Sequence, residues 1–420
     1  IYGTIWFNLN RTIRSNVCHR MSTIEVNKIA PVSGGTAVTM GDSGDTFTVT
    51  SGATLNASSS NLANRANAKP LIINGDMQVA QRGTSSTSIT SAGYYTCDRF
   101  KFNRDGIGTW TVIQESLTSG NAYNNGFRKA LRLDCTSATA SPSASSNLSL
   151  ITRLEGQNLQ LFKKGTANAE KFTLAFWVKS NKTGTSQVNL RDGDNTRLIS
   201  ATYTISSANT WEHKVLNYAA DTTGAFDNDN ANSLQIEWFL DSGTDFSSGT
   251  APTAWEASNN PDRNANNLAL GNSTDNDFAI TGVQLEVGEF TSSTLPPFQF
   301  EGFGDNLARC QRYCFVLTTP NGRGRFASGG FYSTQNTDVI VHFPTEMRSD
   351  YSLAYGSFGD WRLTSHTAEG TPSGINLDTS KCLTAADVRV TSSTAIGSAG
   401  DYALFLSNAS GSKLTFDSEL

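Results

Sequence analysis

Charge is what this chain has least of. Only 16% of its 420 residues are Asp, Glu, Lys or Arg, and the net balance is −5 at pH 7. The charged share of an ordinary globular domain is about a quarter. No basic stripe exists to neutralise phosphates, which argues against nucleic acid as a partner. No run approaches the roughly 20 apolar residues of a spanning helix, so membrane insertion is not expected. Histidine is scarce, with four in all. The six cysteines (Cys18, Cys97, Cys135, Cys310, Cys314 and Cys382) are scattered, without a C-x-x-C pair or a disulfide framework. Cys310 and Cys314 lie close together in ARCQRYC, but no second pair completes a tetrahedral metal site. They read as small core residues, and the chain as one built for a reducing cytoplasm.

Polarity comes instead from Ser, Thr, Asn and 36 glycines. That is the composition of a turn-rich, all-β protein. GDSGD (41–45) is similar to the sequence around a chymotrypsin-like nucleophile, but the partners are missing. A serine nucleophile needs a base and a group to orient it, and only His19 precedes Ser43. The flanks, TAVTM (36–40) and TFTVT (46–50), alternate like strands, so GDSGD reads as a corner between them. Their few apolar residues cannot close a core within one chain, and copies of the chain are the simplest partner.

Composition shifts divide the sequence. Residues 1–20 differ in texture from MSTIEVNKIAP, which looks like a natural start at Met21, and they read as a leader or docking arm. Residues 21–68 read as a thin, self-associating β segment that ends in the polar tract NASSSNLANRANA (56–68). Residues 69–300 carry strands spaced as in a sandwich. FTLAFWV (172–178) sets Phe172, Leu174, Phe176 and Val178 on one face, and LQIEWFL (234–240) sets Leu234, Ile236, Trp238 and Leu240 on one face. Each such strand should be half-buried, polar side out. In FAITGVQLEV (278–287) the apolar phase slips, predicting a bulge at Thr281–Gly282. Residues 301–316 give the one helix signal, with Asp305 as cap and Leu307, Cys310 and Cys314 on one face. Residues 317–420 are β again and large enough for a second sandwich.

Several phrases together carry a family resemblance. FAITGVQLEVGEF (278–290), then PPFQF and EGFGDNLARCQRYC (301–314), resemble a module of bacteriophage tail-fibre and related virion proteins. There a sandwich ends in GVQLEVG and a CQRYY-type segment leads to a terminal domain; Cys314 replaces the last tyrosine. LIINGDMQVAQRGTS (71–85), GYYTCDRFKF (93–102), VHFPTEMRSDYSL (341–353) and LTFDSEL (414–420) look like further parts of such fibres. Residues 22–56 look like a marine-phage fibre N-terminus. The resemblance implies an external virion appendage, assembled in the host cytoplasm as an intertwined homotrimer. It also implies attachment to other virion proteins through the N-terminal segment, and a jelly-roll-like, carbohydrate-binding type of central β-sandwich.

Three functions fit. The first is a fibre or spike subunit that binds host-surface polysaccharide. Sugar rings stack on aromatic faces, and Trp255 in TAWEASNNPD and Trp361 in GDWRLTSH sit in loop-like contexts. Arg323 and Arg325 in RGRF could meet an anionic sugar. The second is a head fibre or decoration protein with a purely structural role. The third is a polysaccharide depolymerase, which would need two carboxylates across a cleft; Glu155, Glu237 and Asp241 are candidates, but no β-helix repeat accompanies them. No catalytic residue is assigned, and no enzyme is expected. No cofactor or metal site is assigned either. Ca²⁺ would find oxygen ligands in RDGDNTR (191–197), DTTGAFDNDNANS (221–233), ASNNPDRNANN (257–267) and GNSTDND (271–277), loops that turns alone also explain.

Overall fold

The computed structural model describes residues 69–319, 322–378 and 382–420. The expectations for 1–20 and 21–68, GDSGD among them, lie outside the described residues. The rest is all-β. In chain order the first strands are β1 (Ser85–Ile89), β2 (Lys101–Asp105), β3 (Thr109–Ser116), β4 (Lys129–Ser137), β5 (Asn147–Glu155) and β6 (Phe172–Ser180). They continue as β7 (Gly184–Asp192), β8 (Arg197–Ile205), β9 (Glu212–Tyr218), β10 (Asn232–Ser242), β11 (Glu256–Ala257) and β12 (Asp277–Val287). They pair as two six-stranded antiparallel sheets, β1-β3-β4-β12-β6-β9 and β11-β8-β7-β10-β5-β2. The chain passes repeatedly from one sheet to the other, as in a jelly roll.

Alternation explains the inner faces. Phe172, Leu174, Phe176 and Val178 from β6 and Leu234, Ile236, Trp238 and Leu240 from β10 all enter one core. Phe176 meets Trp238 edge-on at 5.7 Å and Tyr203 at 5.2 Å, a favoured aromatic geometry. The register of β12 against β6 shifts between Thr281 and Gln284, so the phase slip in the sequence is a bulge. Gly282 sits there at φ 61. A side chain at this position would also collide with the Phe127 ring, 2.6 Å from where its Cβ would lie.

The second sandwich has β13 (Cys314–Thr318), β14 (Arg325–Phe331), β15 (Asn336–His342), β16 (Ser352–Tyr355) and β17 (Trp361–Thr364). It is completed by β18 (Glu369–Gly370), β19 (Pro372–Leu377), β20 (Ala385–Ser392), β21 (Tyr402–Ser407) and β22 (Lys413–Asp417). A three-stranded sheet, β13-β22-β16, faces a seven-stranded one, β18-β17-β21-β14-β15-β20-β19. Trp361, Phe405, Val339, Val388, Leu414 and Phe416 are fully buried between them.

A helix, Phe303–Gln311, precedes β13, and two details differ from expectation. Gly302 takes the cap position with no side-chain cap, and Asp305 lies in the first turn. There its charge still favours the positive end of the helix dipole. Leu307 and Cys310 remain on the helix, whereas Cys314 opens β13.

The two sandwiches meet through a polar joint. Arg312 grips Glu155 with two bonds, 2.9 and 3.0 Å. Arg82 pairs with Asp417 at 2.7 Å, and Arg99 pairs with Glu419 while lying 3.4 Å from the centre of the Tyr313 ring. Burial pushes Asp98 in this joint up to about 6, against the pull of nearby Arg82 and Gln81.

Candidate functional site

The outer face of the β11-β8-β7-β10-β5-β2 sheet departs from the half-exposed strand expected. β10 is buried almost end to end, including Gln235, Glu237 and Phe239, which point away from the core. The cause is a strap, residues 243–267, that crosses this face. It begins with a one-turn helix, Thr244–Ser247, and its backbone bonds to the sheet where Ser200 N donates to Pro252 O at 2.7 Å.

Register fixes what lies beneath. One row across the strands reads Asn103, Ser149, Phe239, Gln187 and Thr202. Phe239 packs against Phe246 of the strap at 5.6 Å. Gln187 Nε2 donates to Asp262 O at 2.7 Å and Ser200 Oγ at 3.0 Å. The next row reads Lys101, Ile151, Glu237, Asn189 and Ser200. Asn189 Nδ2 donates to Arg263 O at 2.8 Å and to Glu237 at 3.1 Å. Arg263 returns two bonds to Glu237, 2.7 and 3.3 Å. Burial raises the Glu237 pKa, but Arg263 and Arg191 outweigh it and hold the carboxyl below the ordinary carboxylate range.

The third row reads Arg153, Gln235, Arg191 and Leu198. Arg153 Nε donates to Gln235 at 2.9 Å and its guanidinium also reaches Leu420 O. Arg191 has no such partner: its Nε is buried and makes no hydrogen bond. Burial lowers its pKa, and Arg263 and Arg153 add to that against the pull of Glu237. Lys101 is likewise lowered, by burial and then by Arg153, against the pull of Asp417. This face therefore gathers cations around Glu237, whose hydrogen bonds Arg263 and Asn189 already supply.

The residues singled out from the sequence are not brought together. Trp361 is 0% exposed, stacked on Phe405 at 5.1 Å, because it begins a strand whose inward phase it shares with Leu363. It presents no face to a ligand. Trp255, 9% exposed, packs against Phe172 at 5.9 Å and donates Nε1–H to Ala219 O at 2.8 Å; it anchors its own loop. Arg323 is exposed and paired with Glu369 at 2.9 Å, and Arg325 is exposed at the start of β14. The three acids considered for glycosidase chemistry are separately enclosed. Glu155 is held by Arg312 and Glu237 by Arg263. Asp241, raised by burial, accepts Gly271 N–H at 2.8 Å.

Two of the four acidic loops, 191–197 and 221–233, converge, but around a lysine. Lys164 Nζ, fully buried, touches Asp192 and, at 3.0 Å, Asp221, together with Gly224 O at 2.6 Å. Trp255 and Phe226 close over it at 4.9 and 5.1 Å. Asp192 also accepts the backbone N–H groups of Asp194 and Asn195, and Asp229 that of Ala231, which is turn chemistry. Among the described residues no cluster of three or more His, Cys, Asp or Glu forms a metal site.

No protein-family model matches the sequence, and no curated protein matches it. Several solved structures are similar. One is the enzymatically active domain of bacteriophage CBA120 tailspike protein 4, 13% identical over 52% of this chain and 21% of that one, TM-score 0.27. Another is a CBM4 structure, 10% identical over 38% of this chain and 83% of that one, TM-score 0.21. A third is the CBM22-1–CBM22-2 tandem domain of Paenibacillus barcinonensis Xyn10C, 9% identical over 81% and 98%, TM-score 0.22. This chain thus spans 21% of the length of the tailspike domain. All three TM-scores are low, and nothing that follows rests on these likenesses.

Proposed function

We propose that this chain is a subunit of a phage virion appendage, anchored by its N-terminal part, that binds host-surface glycan on the outer face of the β11-β8-β7-β10-β5-β2 sheet. The appendage part of the reading is supported by the phrases between 278 and 314 and between 341 and 420 that resemble fibre proteins. The binding part is carried by one observation: Arg191 keeps a buried Nε–H without an acceptor on a rigid sheet face. A buried donor left unmade costs about 1–3 kcal/mol, a cost tolerated where a ligand supplies the acceptor. Amide and guanidinium groups held by a sheet are also well placed for sugar hydroxyls. We read the site as binding and not catalytic, since Glu155, Glu237 and Asp241 are each engaged elsewhere. A homotrimer belongs to the same reading.

The test uses the full chain on immobilised host-surface polysaccharide, with native mass measured beside an unboiled gel lane. Retention by the polysaccharide and a trimeric mass are expected. A protein that builds into particles yet retains no host polysaccharide is a structural fibre or decoration subunit, and the binding reading falls. Release of new reducing ends would replace it with a depolymerase.

A further inference from the structure

We infer that the ligand of this sheet face is an acidic polysaccharide, whose carboxylate or sulfate groups are taken by Arg191 and Lys101. The inference rests on the glycan-binding reading above and adds the chemical class. Elsewhere in the described residues, arginines of comparable burial have acceptors: Arg82 and Arg99 have Glu419, Arg263 has Glu237, Arg312 has Glu155 and Arg197 has Asp221. Arg191 and Lys101 make no side-chain hydrogen bond or ion pair, although they share a face with Arg153 and Arg263 that already repels further positive charge. Two free cations kept beside two others call for an anion from outside.

Geometry narrows the anion. Arg191 stands beside Gln235 on β10 and Leu198 on β8. Its guanidinium offers a planar fork that matches a carboxylate or sulfate. Lys101 lies on β2, with β5 and β10 between it and β7. Three strand spacings separate the two backbones by about 14 Å. An extended polymer lying across the strands, acidic at more than one unit, reaches both. The neutral partners it would pass, Gln235 and Asn103, suit hydroxyl groups. A polyphosphate backbone is the less favoured occupant because it carries a charge at every unit and this cationic stripe is short.

The experiment measures binding of the full chain to four probes by affinity electrophoresis and calorimetry: alginate, dextran sulfate, uncharged dextran and a single-stranded oligonucleotide. Variants Arg191→Gln and Lys101→Gln accompany the parent. Retention by alginate or dextran sulfate but not by dextran is expected, and whichever of the two binds identifies the acidic group. Arg191→Gln should weaken that binding about tenfold or more, since a charge-assisted bond is lost. Lys101→Gln should weaken it several-fold and reduce its sensitivity to salt. Among the described residues Arg191 makes no side-chain hydrogen bond, and its replacement removes both an unmet buried donor and a charge near Glu237. A variant that still melts cooperatively near the parent temperature therefore separates lost binding from lost folding. Equal binding of dextran and alginate, or unchanged binding in both variants, overturns the acidic class while leaving a glycan ligand standing. Oligonucleotide binding as tight as alginate binding overturns the polysaccharide assignment. Failure with every probe overturns the acidic class as well. The broader glycan reading falls only if host-surface polysaccharide is not retained either.

Discussion

The outer faces of the two larger sheets handle positive charge in opposite ways. On the C-terminal sandwich, Arg389 is bracketed by Asp338 at 2.9 Å and Asp378 at 2.6 Å and leans over Tyr332. Arg323 has Glu369, and Arg362 has Asn408 at 3.0 Å. On the central sandwich, Glu237 serves Arg263, and Arg153 has only an amide and a carbonyl. Among the described residues, Arg191 and Lys101 make no side-chain hydrogen bond or ion pair. A face whose charges are matched in place is complete as it stands. A face with cations left over is finished by something the chain does not contain. Charge count alone does not separate the two; the pairing does.

The comparison can be broken most severely from below the C-terminal face. Trp361→Ala should cost about 3–5 kcal/mol, the range for emptying a buried aromatic site, seen as an earlier denaturation midpoint. Binding to glycan should survive wherever the protein remains folded. If Trp361 were a ligand contact instead, binding would fall and stability would hold.

Next in size is Glu237→Ala. It leaves Arg263 as a buried charge without its carboxylate, which costs about 3–5 kcal/mol. It should also release the strap, detectable as new protease cleavage within 243–267. Here the matched half of the central face is made to resemble its unmatched half.

Titration gives a smaller and signed effect. Glu237 is held below the ordinary carboxylate range, so its contribution is present above that range and lost as pH falls through the depressed value. Asp98 is raised to about 6. As pH climbs past the ordinary range, the unfolded chain ionises there first, and this group erodes stability until about pH 6. Melting curves from about pH 2 to 7 should show a downward slope between the ordinary carboxylate range and about pH 6 in the parent that Asp98→Asn lacks, and Glu237→Gln should flatten the loss below that range.

The smallest effect is expected at an exposed pair. Arg323→Ala should leave melting temperature and glycan retention within experimental error, since its exposed ion pair with Glu369 is screened by solvent. A clear loss of binding there would move the site to the C-terminal face.

Much of the fold was readable in the sequence because it is local. Alternation in FTLAFWV and LQIEWFL placed eight core side chains, and the slip around Thr281–Gly282 marked a bulge. The site was not readable, because register is not local. Lys101, Arg153, Arg191, Gln235 and Glu237 come from four strands, and alternation says only that each points outward. A faint signal was there: QVNLR and LQIEW place amides and charges at every outward position of strands otherwise dense in bulky residues. Trp361 was misjudged from its polar surroundings, although WRLT already sets it in phase with Leu363. Asp305 fits the composition of a helix start, but one turn too late to cap it.

The acidic loops around Lys164 have a consequence for the medium the protein can stand. A metal ion held by carboxylates and carbonyls exchanges with the medium and is lost when the medium runs short of it. An ammonium on its own side chain cannot be washed out. Sealed from solvent on both sides, that clasp is screened by salt far less than an exposed pair.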